Sequence, residues 1–376
     1  MDRLNNTYYQ LKVAKKLNVA YLGGSVTDGY GSTSKATKSW RALTTQWLKS
    51  QYPNATITET NAGIGGTGSF YGAHRVIQDL KLTSATEKPD LVFIEFASND
   101  DGETYINTTP DVYMESIIQT IYKYAPQADI VMVYITNFRR KDTEFPSKVA
   151  HKKVAEAYQI PYVDVGAPLW KEIVKENGGV APTSFKTDAA WLKYYKDSVH
   201  PIDAGYAKYA QYVQEFLSDI LSKKTTTPSG RVNSYVPSKT LNTLPVAPYI
   251  DNLKGFTPSD SKIKVNSSTG YITSTSAWAS FTFKFTGTDL NFWIYGQSTS
   301  EADTGVLNVS IDGGAAKKIA ITGNNHKILP VASGLANKEH TVTVELAPVA
   351  NNKANLNLRY FLISGDTSMR GVTLVK

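Results

Sequence analysis

The sequence predicts a three-layer α/β/α domain with a five-stranded parallel sheet, followed by a C-terminal all-β sandwich. Three observations carry this expectation. Strand-like and helix-like segments alternate over residues 17–222. The strand-like runs are apolar without a break, the pattern of strands covered on both faces. Beyond residue 222 helical spacing stops, and short alternating runs separated by turn residues take over.

Taken in order, Leu17–Gly23 (LNVAYLG) reads as the first buried strand. Trp40, Leu43, Trp47 and Leu48 recur at helical spacing and predict a helix over Ser39–Tyr52. Thr56–Asn61 is a short strand, and Val76, Ile77 and Leu80 mark the inner face of a helix over Ser69–Leu82. Leu91–Glu95 (LVFIE) is a strand, and Ile117, Ile118 and Ile121 mark a helix over Asp111–Tyr124. Ile130–Tyr134 and Tyr162–Asp164 complete the five strands. Phe145–Tyr158, Pro168–Asn177 and Ile202–Leu221 are further helices. Lys223–Gly230 (KKTTTPSG) is polar and turn-rich. The expected organisation is a catalytic-type domain over 1–222, a linker over 223–235 and an accessory β-sandwich over 236–376. Its strands are Ser280–Phe285, Leu290–Tyr295, Val306–Ile311, Lys318–Ile321 and His340–Leu346, with Asp312-Gly313-Gly314 as a hairpin signal.

Composition narrows the function classes. With 376 residues and 41% hydrophobic content, the chain can bury packed cores. The formal net charge is +7, yet Lys and Arg are scattered, without the basic stripe of a nucleic-acid binder. There is no cysteine, which removes disulfides, thiolate metal sites and cysteine nucleophiles together. No apolar run is long enough to span a bilayer. The N-terminus lacks a signal-peptide core, so the protein is either cytoplasmic or begins after a removed signal; abundant Thr, Asn, Ser and Tyr favour secretion or the cell surface.

Four segments carry chemistry. The first strand runs into Gly23-Gly24-Ser25-Val26-Thr27, placing a serine where parallel sheets bind ligands. Read alone, Ser25 is equally a nucleophile or the N-cap of the next helix. Asp197-Ser198-Val199-His200-Pro201 sets a carboxylate three residues before a histidine, a spacing that brings it beside the imidazole in a turn. Of the five histidines, only His200 combines an upstream Asp with a place after the last sheet strand; His74 and His151 fall inside helices and read as structural. Two loops after other strands, Asn61–Gly68 and Phe96–Asp100, offer backbone N–H groups and an asparagine amide to a developing oxyanion, although Asn and Gly are also ordinary turn residues.

In their order and spacing over residues 17–222 these segments resemble the SGNH hydrolases, or GDSL esterase superfamily. The first block here is Gly-Gly-Ser-Val-Thr, where the family more often has Gly-Asp-Ser-x-Thr. The second follows the family's Asn-x-Gly-x-x-Gly-x-Thr pattern. In the third, usually Gly-x-Asn-Asp, Ala97 or Ser98 replaces the glycine while Asn99 and Asp100 remain. The resemblance implies a flavodoxin-like domain with Ser25 as nucleophile, His200 and Asp197 completing a triad, and an oxyanion hole of the Ser25 N–H, the Gly66 N–H and the Asn99 side chain. It requires no metal or organic cofactor.

The competing motif is Gly63-x-Gly65-x-x-Gly68, a dinucleotide fingerprint with Glu95 as its ribose acid. That alternative leaves Ser25, Asn99 and the Asp197/His200 pair without a joint role.

Substrate contacts are expected from Trp191, Tyr194 and Tyr195, from Phe70 and Tyr71, and from Arg139 and Arg140; each aromatic is equally readable as core, each arginine as solvated. An SGNH-like domain joined to a β-sandwich, of jelly-roll type, is similar to bacterial enzymes that deacetylate polysaccharides. The resemblance therefore implies an ester hydrolase acting on O-acetyl groups of a poly- or oligosaccharide. A lipase- or thioesterase-like acylhydrolase and a non-catalytic carbohydrate-binding protein are the alternatives. No nucleic-acid partner and no membrane span are expected.

Overall fold

The computed structural model of the chain describes residues 4–101, 110–224, 249–298, 304–348, 354–365 and 372–375. Its contacts divide into two compact units, Met1–Leu244 and Pro245–Lys376. The expected linker lies outside the described residues from 225 onward.

The first unit opens with α1 (Asn5–Tyr9) and one π turn at Gln10–Ala14, which the sequence pattern did not announce. Then follow β1 (Lys16–Gly23), α2 (Ser25–Asp28), α3 (Trp40–Gln51), β2 (Thr56–Gly63) and α4 (Ser69–Asp79). Next come β3 (Leu91–Glu95), α5 (Ala97–Asp100), α6 (Pro110–Tyr124), β4 (Asp129–Tyr134) and α7 (Pro146–Ala157). β5 (Tyr162–Asp164), α8 (Gly166–Glu176), α9 (Ala189–Leu192) and α10 (Asp203–Ser222) complete it. All five strands run parallel, in the order β2-β1-β3-β4-β5.

The unbroken apolar strands are explained by burial on both faces. Leu17, Val19 and Tyr21 of β1, with Phe93 of β3 and Val131 of β4, pack in one core with Trp40 and Leu48 of α3 and with Tyr206, Val213 and Leu217 of α10. The alternate residues Ala20, Leu22, Val92 and Ile94 are equally buried on the other face. There α4 packs on β1 and on α6, and α6 on α7. Local signals set the helix starts: the Ser39 hydroxyl accepts from the Ala42 N–H (3.4 Å), and Pro146 opens α7, where a missing N–H costs nothing. Because β1 is flanked by β2 on one side and β3 on the other, the order of strand addition switches side there. In open parallel sheets the loops at the carboxyl ends of the strands beside such a switch point are where ligands bind.

The second unit contains β6 (Tyr249–Asp251), β7 (Lys264–Val265), β8 (Ile272–Ser274), β9 (Ala279–Gly287), β10 (Asp289–Ser298) and β11 (Val306–Ile311). It continues with β12 (Lys317–Ala320), β13 (Gly323–Ala332), β14 (Lys338–Ala347), β15 (Leu356–Ser364) and β16 (Val372–Val375). One antiparallel sheet has the order β13-β10-β15-β8-β7, with β6 beside β15; the other has the order β12-β11-β14-β9-β16. Phe281, Phe283 and Phe285 alternate inward from β9 to meet Phe292 of β10 and Phe361 of β15, the rings of Phe283 and Phe361 lying 4.2 Å apart. This is the expected β-sandwich, and its hairpin at Asp312-Gly313 takes left-handed φ values of 51° and 74°.

Candidate active site

Every residue of the site is placed by the carboxyl ends of β1, β2 and β3 or by the loop before α10. Gly24 caps α2, so Ser25 is the first residue of a helix and not its cap. Its side chain is thereby free to face the loop that carries His200. Ser25 Oγ lies 2.8 Å from His200 Nε2. His200 Nδ1 lies 2.8 Å from Asp197 Oδ2 and 3.0 Å from Oδ1.

The tautomer follows from chemistry. An ionised carboxylate only accepts, so Nδ1 carries the hydrogen and Nε2 is left as an acceptor for the Ser25 hydroxyl. The carboxylate stays ionised: although burial works to raise the Asp197 pKa, the His200 and Val199 N–H groups and the His200 imidazole hold it below the usual range.

The Asp197–His200 turn is held at four points. Its Asp197 carbonyl accepts from Trp191 Nε1 (2.7 Å), and its Ser198 carbonyl from the Phe138 N–H (2.7 Å). The His200 carbonyl accepts from the Lys196 N–H (3.0 Å), and Asp197 Oδ1 from the Val199 and His200 N–H groups (2.9 Å each). This corrects one expectation. Trp191 is fully buried, stacked on Tyr195 at 3.8 Å between centroids, and it holds the histidine turn from beneath. Tyr194, bonded to Glu176, and Tyr71 are buried too, as are Tyr195 and Phe70. None of these rings offers a face to a substrate, because each completes the hydrophobic core around the site.

Arg140 is likewise structural: its guanidinium donates to both oxygens of Asp101. Arg139 is exposed and makes no hydrogen bond or ion pair among the described residues. The aromatic beside His200 is one the sequence pattern did not single out. Tyr30, 45% exposed, packs edge-on against His200 with centroids 4.6 Å apart, and Lys196 Nζ lies 4.7 Å over its ring. Its N–H donates to the Ser25 carbonyl (2.9 Å), which fixes its loop to the serine's helix.

The other two loops close on Ser25. Asn99 lies so near Gly24 that a Cβ there would come 2.1 Å from its Oδ1. The asparagine amide is therefore seated directly against the backbone of the residue before Ser25. A Cβ on Gly65 would stand 3.6 Å from Ser25 Cβ, so the Gly63–Gly68 loop borders the serine. Gly66 is exposed with φ 71°, a conformation that suits glycine. Below the site, Arg75 donates to the carbonyls of Gly23 (2.9 Å) and Ala62 (2.7 Å), tying the ends of β1 and β2 together.

Glu95 is buried beneath the serine's turn, where Thr27 Oγ1 donates to it (2.9 Å). Burial pushes its carboxyl up to about 8, against the opposing hydrogen bonds from Thr27 and the Gly24 N–H. Glu95 therefore cannot reach out to a ribose, and the glycine loop borders a serine in place of a pyrophosphate. The dinucleotide reading loses both of its contacts.

The sequence profile of the GDSL-like lipase/acylhydrolase family matches residues 21–208. No curated protein sequence matches the chain. Among solved structures, a two-domain esterase active on acetylated mannans, co-crystallised with mannopentaose, superposes with a TM-score of 0.77 at 21% identity, covering 98% of this chain and 97% of the other. A second structure of such an esterase gives 0.72 at 21% identity, covering 97% and 96%. The acetylxylan esterase Axe2 of Geobacillus stearothermophilus covers 56% of this chain and 96% of its own, with a TM-score of 0.42 at 22% identity. The first two share the fold over both units.

Proposed function

This chain belongs to the GDSL-like lipase/acylhydrolase family and is a carboxylic ester hydrolase; from that premise we propose that it removes O-acetyl groups from a polysaccharide by a serine mechanism. The observation that carries the proposal is the continuous relay from Ser25 Oγ through His200 to Asp197, at 2.8 Å for each step.

The reaction is a two-step acyl transfer. His200 Nε2 takes the Ser25 proton as Oγ attacks the ester carbonyl. Asp197 stabilises the imidazolium that forms. The oxyanion develops against the N–H groups of Ser25 and Gly66 and the amide of Asn99, and losing one such donor costs roughly 10²–10³-fold in kcat. Collapse expels the sugar hydroxyl, which takes its proton from His200. Water then enters, gives a proton to His200, attacks the acetyl-enzyme and releases acetate, restoring Ser25. All of these residues precede residue 222, so the N-terminal unit carries the whole reaction.

A glycan substrate is supported by the activity of the similar two-domain esterase on acetylated mannans. It also fits the exposed tyrosine, Tyr30, that packs against His200 with the exposed Lys196 over its ring. A polymeric substrate is consistent with secretion or display at the cell surface. The test is acetate release from acetylated mannan and xylan, beside hydrolysis of aryl esters of increasing acyl length. Ser25→Ala should fold normally and lose all activity, and the wild type should prefer acetyl over octanoyl esters. A faster octanoyl ester would replace the acetylesterase with a long-chain acylhydrolase; an active Ser25→Ala would remove the nucleophile.

A further inference from the structure

The short turn that carries Asn99 is gripped at every residue except Asn99 itself. The Ala97 carbonyl accepts from Ser147 Oγ (2.8 Å), and Ser98 Oγ accepts from Asn137 Nδ2 (3.1 Å). Arg140 holds Asp101 through two nitrogens. Asp100 is the most deeply set: its Oδ1 accepts from the Ser69 N–H at 2.7 Å, and its Oδ2 lies 2.8 Å from His151 Nε2. Both side chains of this pair are sealed from solvent, at 0% for Asp100 and 1% for His151. The Asn99 side chain makes no hydrogen bond among the described residues and packs against Gly24.

The position of Ser69 gives the pair its reach. Ser69 is the first residue of α4, immediately past the Gly63–Gly68 loop. One carboxylate thus ties the Asn99 turn to the loop that holds Gly66, and His151 anchors that carboxylate from α7. A buried carboxylate that loses one of its donors protonates or shifts towards those that remain, because an under-bonded buried charge is costly. Either change would shift two of the three oxyanion donors together.

We propose that His151 is a positioning residue for ester cleavage, acting through Asp100 to fix the Asn99 amide and the Gly66 loop where the oxyanion forms. It touches no reacting atom, and its role rests on the oxyanion assignment made above.

A double-mutant cycle separates positioning from general packing. The full-length wild type, Asn99→Ala, His151→Leu and the double variant are compared on an aryl acetate, with kcat, KM and melting temperature measured for each. His151→Leu should lower kcat roughly tenfold with KM nearly unchanged, since a displaced donor is felt in the transition state. In the Asn99→Ala background the same change should cost less than about twofold, because the group it positions is gone. His151→Gln, whose amide can still donate to Asp100, should recover most of the activity. If His151→Leu does not fold, His151→Asn takes its place; its shorter amide keeps the polarity but falls short of the carboxylate. Independent effects that multiply in the double variant would reduce His151 to a packing residue. An Asn99→Ala variant with wild-type kcat would overturn the oxyanion assignment itself, and this inference with it.

Discussion

Among the described residues, three histidine–aspartate pairs share a contact of 2.8 Å and have three different surroundings. In the α/β unit, His200 and Asp197 are partly open to solvent, at 20% and 36%, and the second imidazole nitrogen faces a serine hydroxyl. In the same unit, His151 and Asp100 are sealed and their carboxylate braces two loops. In the sandwich, His340 spends its second nitrogen on the Ala336 carbonyl (2.8 Å). The pair geometry therefore does not mark a reactive site. What sets the His200 pair apart is its partial exposure together with a serine hydroxyl, the proposed nucleophile, at the other ring nitrogen.

The largest effect expected from this comparison is at Asp197. Asp197→Asn keeps the shape but presents an N–H to Nδ1 and favours the wrong imidazole tautomer. Its kcat on an aryl acetate should fall by roughly 10⁴-fold with the melting temperature little changed. A fall of tenfold or less would mean that the carboxylate is dispensable and the pair is no different from the other two.

A pH titration of stability sharpens the contrast between exposed and buried carboxyls. Glu95 has a folded pKa of about 8 against an ordinary 4.5, so the folded state holds its proton more tightly than the unfolded chain does. Its contribution is complete below 4.5 and is lost as pH rises through 8. Asp129, raised to about 6 by burial, adds to the early part of this window. The melting temperature of the wild type should therefore decline from pH 5 to pH 8. In Glu95→Gln, where the side chain is neutral throughout, the decline should be much shallower. An identical slope in both proteins would show that Glu95 is ionised beneath the serine.

The smallest effect on activity belongs to the sandwich pair. His340→Phe removes two hydrogen bonds, to Asp312 and Ala336, and should cost about 1–3 kcal/mol of stability in that unit. Hydrolysis of aryl acetate should be unchanged. A loss of kcat would tie the sandwich to the chemistry of the first unit.

The elements most legible in the sequence were those with one uninterrupted period. The five parallel strands and the helices between them are written in runs such as LNVAYLG and LVFIE. In the sandwich, β15 was not foreseen, and the reason is visible in its pairing. Its register slips between Trp293 and Ile294, so Leu356 and Leu358 point inward and then Phe361 and Ile363 do, with the alternation changing phase between them. β13 was hidden by Asn324, Asn325 and Pro330, tolerable because it lies at a sheet edge.

At the site, the order of four short motifs sufficed to bring Ser25, Asn99, Asp197 and His200 under consideration. Roles that depend on packing were not readable. Trp191 looks the same in sequence whether it stacks on a sugar or supports the histidine turn. Only its burial and its bond to the Asp197 carbonyl decide for support. Asp100 and His151 are far apart in the chain, and no local pattern announces that they meet. Tyr30 sits in a Gly-Tyr-Gly loop that reads as ordinary turn chemistry.

The close fit of Asn99 against Gly24 bears on how such a site can change by single steps. Any side chain at residue 24 must first dislodge the asparagine, since even a Cβ would collide with it. The commoner aspartate is therefore not one neutral substitution away from this chain. A lineage moving between the two motifs has to reseat the loop after the third strand first, or cross a form in which Asn99 is displaced. Because the family's usual motifs keep the asparagine beside the aspartate, what must differ is the seating of that loop, and Gly24→Asp alone should fail in this background unless the loop travels with it.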